Sequence, residues 1–156
     1  MAEDSCIAPL GATTAAYLQL PGGWFRNNAG WIAGRDQMVL VDTCATEARS
    51  RRLLDPLRRH TADQHAPLIA VLTHAHGDHA NGAGLVAKSG GTILASPPAA
   101  TDIAAGPHTY PSMFRCTNWG EITPPPITDT IDDHRQLDLG DQIVDVVRVP
   151  GRAHRR

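Results

Sequence analysis

Cysteine is scarce in this chain of 156 residues, which carries only Cys6, Cys44 and Cys116. They form no CxxC pair, and an odd count without paired spacing indicates neither a disulfide framework nor a zinc ribbon. Three reduced thiols in a cytoplasmic protein are the expectation. Long apolar runs are also missing. The longest, residues 68–72, is far too short to span a bilayer, so no membrane role is expected. The opening Met1-Ala2-Glu3-Asp4 has neither a basic nor an apolar region, and no signal peptide is expected from it. Charge of one sign is lacking too. The formal net charge of −2 provides no field that favours nucleic acid.

What is present fits a globular domain. Hydrophobic residues make up 42% and charged residues 19%, which excludes a solvated, disordered chain. The length suits one hydrophobic core without a disulfide staple. No internal repeat or dividing linker is visible, so residues 1–156 read as a single domain.

Residues 14–20 read as a strand ending in the turn Pro21-Gly22-Gly23. Residues 31–33 lead to the polar turn Gly34-Arg35-Asp36-Gln37, and residues 38–41 form a short buried strand ending at Asp42. Thr43 or Thr46 can cap a following helix that runs from Glu47 to about His60. Leu53, Leu54 and Leu57 share one arc of that helix, while Arg51, Arg52, Arg58 and Arg59 share a solvated one. Residues 68–72 suit a strand covered on both faces. Residues 80–88 predict a small-residue helix closed by Ser89-Gly90-Gly91, and residues 92–95 a strand stopped by Pro97-Pro98. No period emerges over residues 99–133, where proline is frequent. Residues 136–138 and 143–149 predict a hairpin across Gly140-Asp141, with Val144, Val146 and Arg148 on one face.

One segment carries chemistry. The sequence Val71-Leu72-Thr73-His74-Ala75-His76-Gly77-Asp78-His79-Ala80-Asn81-Gly82 places three imidazoles and a carboxylate within six positions. His74 and His76 leave an extended backbone on the same side. Gly77 permits a sharp turn, and Asp78 and His79 begin the next helix, where a carboxylate is favoured. Imidazole with carboxylate suits zinc first, and also iron or manganese. His60 and His65 flank a helix end, where a cationic or dipole role is ordinary, and His108 and His134 fall in loops and read as surface residues. Trp24, Phe25 and Trp31 surround a glycine-rich turn, where they either pack the core or wall a substrate pocket.

His74-x-His76-x-Asp78-His79 after an apolar strand resembles the signature of the metallo-β-lactamase superfamily. Val39-Leu40-Val41-Asp42-Thr43 is similar to that family's strand ending in an acidic residue, and Gly140-Asp141 with residues 144–150 resembles its later strands. The resemblance implies an α/β (α+β) fold, the N-terminal half of an αββα sandwich, with a metal site at one edge of the two sheets. It implies His74 and His76 on a first metal, Asp78 and His79 on a second, and one or two zinc ions in all. It also implies His154, in Pro150-Gly151-Arg152-Ala153-His154, as third ligand of the first metal. Asp42 would stand behind the motif and orient the loop or a ligand, its competing role being a helix cap. The family's later bridging Asp and last His are not matched, and the Arg155-Arg156 ending suggests a truncated member or a shifted reading frame.

The function implied is a zinc-dependent hydrolase in which an activated water attacks an ester, thioester or amide carbonyl of a small molecule. Asp78 would be the catalytic residue that orients the water and accepts its proton. The rival reading is a metal-binding fragment with little catalysis and a partial, weaker metal site. Self-association through exposed sheet is a further expectation. A nuclease would need a basic surface, and a sulfur dioxygenase of similar fold shares the ligand set.

Overall fold

The structure, a computed structural model, describes residues 4–59, 66–115 and 117–149. Four strands open the chain: β1 (Asp4–Pro9), β2 (Thr14–Leu20), β3 (Ala29–Ala33) and β4 (Met38–Val41). Each pairs antiparallel with the next. The chain then changes mode. Helix α1 (Glu47–Arg59) leads to β5 (Leu68–Leu72), short helices α2 (Gly77–Ala80) and α3 (Ala83–Lys88) lead to β6 (Thr92–Ala95), and α4 (Pro97–Ala104) precedes β7 (Asp129–Thr130). Strands β4 to β7 run parallel, and the seven strands lie in one sheet in sequence order. A separate antiparallel pair, β8 (His134–Asp138) and β9 (Ile143–Val147), completes the described chain.

Alternation across the strands explains the layering. Met38, Leu40, Leu68, Ala70, Leu72, Ile93 and Ala95 face the helices and join Leu53, Leu57 and Val86 in the larger core. Val39, Ile69, Val71 and Leu94 face the other way and meet Leu137, Leu139, Val144 and Val146 of the hairpin region. Every residue of β5 is buried, as a strand covered on both faces requires. The fold is thus a helix layer, a main sheet and the start of a second sheet, which agrees with the expected half-sandwich. Ile143 and Val147 stay exposed on the outer face of β9.

Helix α1 begins where expected, and Thr46 is its cap: the Arg49 N–H donates to Thr46 Oγ1 at 3.3 Å. Leu53 and Leu57 are fully buried, and Leu54 packs at the edge of the same core.

Three elements differ from expectation. The single helix over residues 80–88 is two helices, because the backbone breaks at Asn81-Gly82 to pass close to Ser50. A Cβ on Gly82 would lie 2.0 Å from Ser50 Oγ. Pro97 and Pro98 do not merely stop a strand; they open α4, since proline suits the first helical positions. β1 has no alternating apolar pattern and is recruited by its backbone pairing with β2. His134, expected in a loop, stands on β8. Among the described residues, no helix is long and apolar enough to cross a membrane.

Candidate metal centre

The histidine turn sits at the C-terminal ends of the parallel strands, where the loops of such sheets converge. Strand β5 delivers Thr73 and His74, Gly77 opens α2, and Asp78 and His79 follow in its single turn. Gly77 is required by space. An added Cβ would lie 2.1 Å from the His108 carbonyl oxygen and 3.0 Å from Phe25 Cζ.

The three rings lie near one another. His74 and His76 have centroids 4.6 Å apart, and His74 and His79 4.1 Å apart. His76 is exposed, while His74, Asp78 and His79 are half-buried. One Asp78 oxygen lies 3.6 Å from His79 Nε2, beyond hydrogen-bond range. Among the described residues, however, no three His, Cys, Asp or Glu side chains are close enough together to hold an ion. His154, the remaining expected ligand, lies outside the described residues, as do His60, His65 and Cys116.

Asp42 organises the turn. It is 4% exposed and adopts a positive φ of 61°, a backbone region aspartate tolerates better than most residues. Its Oδ1 accepts the Thr73 N–H at 2.8 Å, and its Oδ2 accepts the Thr73 hydroxyl at 2.8 Å and His79 Nδ1–H at 2.8 Å. Thr73 Oγ1 also lies 2.9 Å from His74 Nδ1. A threonine hydroxyl has one proton, and an ionised carboxylate can only accept. The Thr73 proton therefore goes to Asp42, and His74 Nδ1–H donates to Thr73. One carboxylate thereby assigns the tautomers of two histidines and leaves a lone pair on Nε2 of each neutral ring. A carboxylate or its relay behind an imidazole is the usual support of a metal-ligating histidine. The helix-cap alternative for Asp42 does not hold, since Thr46 caps α1.

The two rings feel opposite fields. Burial pulls the His74 pKa down, and the neighbouring His79 and His76 add to that. Burial also pulls on His79, but its bond to Asp42 and the charges of Asp42 and Asp78 outweigh it and raise the pKa.

Backbone contacts fix the turn from behind. The Thr43 N–H and hydroxyl both donate to the His79 carbonyl, at 2.8 and 2.7 Å. Asn27 reaches the Thr43 carbonyl at 2.8 Å and receives Gln19 Nε2, which ties the β2–β3 hairpin to the same point.

A wall of aromatic rings stands beside the turn. Phe25 is its hub, with Phe114 at 4.8 Å, Tyr110 at 5.4 Å and Trp119 at 5.9 Å between centroids. Of the three aromatics singled out by sequence, Phe25 joins this wall, Trp31 is core at 2% exposure, and Trp24 projects at 84% exposure. Tyr110, Phe114 and Trp119 went unseen because their segment has no periodicity. Thr73 and Asn81 were equally silent, since their roles come from hydrogen bonds to residues far away in the chain. His108 is half-buried and held by its backbone, and His134 bonds Asp145 at 2.7 Å on the hairpin, away from the turn. A groove of about 470 Å³, bordered by Thr13, Trp31, Arg35 and Asp141, lies at the opposite end of the sheet and includes none of the histidines.

Several solved structures share the fold. The structure is similar to the metallo-β-lactamase from Pontibacter korlensis, with a TM-score of 0.63, 14% identity, and coverage of 91% of this chain and 59% of that one. It is also similar to the Rm3 metallo-β-lactamase, with a TM-score of 0.62, 20% identity, and coverage of 90% and 50%. A B3 metallo-β-lactamase with an active-site glutamic acid gives 0.59, 20%, 86% and 48%. The chain therefore spans about half the length of these solved structures. No curated protein sequence matches it. The sequence model of the metallo-β-lactamase superfamily matches residues 22–154, and the chain belongs to that superfamily.

Proposed function

We propose that this chain carries the metal-holding part of a zinc-dependent hydrolase acting on an ester, thioester or amide carbonyl of a small molecule. The observation that carries this reading is the set of hydrogen bonds from Asp42, directly to His79 and through Thr73 to His74, which leaves Nε2 of both rings free to donate to a metal. The donor set suits zinc, with iron or manganese as alternatives. His74 and His76 would hold one ion, with His154 as the further ligand the family pattern supplies, and Asp78 and His79 a second. When bound, zinc activates water and polarises a carbonyl as a Lewis acid.

The chain's own residues do the rest. Asp42 keeps both imidazoles in the tautomer that can ligate and holds them in orientation. Asp78, half-buried beside His79, would orient the attacking water and take its proton. The Phe25 wall offers an apolar surface next to the histidine turn.

A second reading has its own support. No three donors are gathered among the described residues, which suits a weaker metal site with little turnover. Zinc titration with a parallel thioester and lactam turnover assay separates the two. Stoichiometric zinc with turnover on the order of 1–1000 per second supports the hydrolase. Zinc binding without turnover supports the metal-binding fragment, and no zinc uptake refutes both.

A further inference from the structure

Asn81 is buried at 5% exposure, one helical turn beyond Asp78. Its Nδ2 donates to the Ala45 carbonyl at 3.2 Å and to the His108 carbonyl at 3.2 Å, and its Oδ1 accepts the His108 N–H at 3.3 Å. The carboxamide thus pairs with both backbone groups of one loop residue, as a neighbouring strand would. Only the amide of Asn or Gln can serve two carbonyls and one N–H in this way.

His108 begins the segment that carries Tyr110, Phe114 and Trp119. The far end of that segment is tied separately. The Glu47 N–H donates to the Trp119 carbonyl at 2.9 Å, and the Glu121 N–H donates to Glu47 Oε2 at 2.6 Å. Between the two ties, the aromatic side chains close on Phe25, whose Cζ stands 3.0 Å from where a Gly77 Cβ would be. The Asn81 bonds therefore join the aromatic loop to the turn bearing Asp78 and His79.

We propose that Asn81 is a positioning residue: its paired bonds to His108 hold the aromatic loop against the histidine turn and form an apolar acyl-group subsite beside it. The substrate class is then an acyl compound with an aromatic or bulky apolar substituent. This part of the inference rests on the hydrolase reading, whereas the clasp itself does not. The half-burial of Phe25, Tyr110 and Phe114 leaves apolar surface for such a group.

The test compares the zinc-loaded full chain with its Asn81→Ala variant on phenylacetyl and acetyl thioesters of N-acetylcysteamine. The expected result is about a tenfold fall in the preference for the phenylacetyl compound, carried by KM, with the acetyl compound within about twofold. An unchanged preference overturns the proposal, because loss of folded protein alone would lower both equally. Hydrogen exchange of the same two proteins, without metal or substrate, reads the clasp directly. The Met113 and Phe114 amides, which bond to the Tyr110 carbonyl, should exchange at least about tenfold faster in Asn81→Ala while β5 amides do not change. Equal protection of Met113 and Phe114 in both proteins overturns the clasp. Should the wild type turn over neither thioester, the hydrolase reading and the acyl subsite fall, and the exchange result still decides the clasp. If Asn81→Ala does not fold, Asn81→Asp replaces it. That variant keeps the acceptor for the His108 N–H, loses both donations, and should show the same two changes.

Discussion

Asp42 Oδ2 lies 2.8 Å from His79 Nδ1, although 37 positions separate the two in the chain. The end of β4 and the start of α2 meet there, and the bond turns a loop carboxylate into the support of a histidine. The same carboxylate reaches His74 through Thr73. Asp42→Asn keeps the shape and tolerates the positive φ but removes the charge that fixes both tautomers. Zinc affinity, read by chelator competition, should fall about 10- to 100-fold with the fold retained. Unaltered affinity would show that Asp42 does not support the ligands.

Gly77 is fixed by sterics. Its missing Cβ leaves room for the His108 carbonyl, a backbone atom that cannot move aside as a side-chain tip can. Gly77→Ala should destabilise the protein by about 1–3 kcal/mol, the usual cost of overpacking, in chemical denaturation. Gly11→Ala, at a position with nothing within 4 Å, is the control and should change little.

Glu47 ties α1 to the segment at Gly120-Glu121. The Glu121 N–H and the Arg51 guanidinium hold its carboxyl below the usual glutamate range. A carboxyl with a lowered folded-state pKa stabilises the fold at pH above its unfolded value and loses that contribution as pH falls through the folded one. Thermal midpoints should therefore separate the wild type from Glu47→Gln at neutral pH and bring them together as pH drops below the ordinary glutamate range. A gap that stays constant to the lowest pH would contradict the tie.

Cys44 is buried, and burial pushes its thiol up to about 12. The thiolate is the reactive form, so alkylation at pH 8 should leave the Cys44 peptide unmodified in native protein and modify it after unfolding. Exposed Cys6 provides the labelled control. Rapid native labelling of Cys44 would refute its burial.

Much of this was legible in the sequence, and the reasons are physical. The run from Leu68 to Leu72 suits a strand covered on both faces, and Leu53 and Leu57 at helical spacing supply an apolar face to meet it. His74, His76, Asp78 and His79 were legible because ligand-type residues clustered at a strand end. The break of the helix at Asn81-Gly82 was not legible, since it is set by the approach of Ser50, 31 or more positions earlier in the chain. Phe25 was legible as a pocket wall, but the rings it meets were not. The members of that wall come from two loops without periodicity and are united by contacts between rings.

Zinc binding by the turn from His74 to His79, supported by Asp42, is the property on which the proposed hydrolase rests. Equilibrium dialysis against buffered zinc, followed by elemental analysis, tests it on the wild type, His79→Ala, His74→Ala and His134→Ala. At least one zinc per chain is expected in the wild type and in His134→Ala, with a loss of zinc in the other two variants. Full zinc content in His79→Ala and His74→Ala, or none in the wild type, would contradict that expectation.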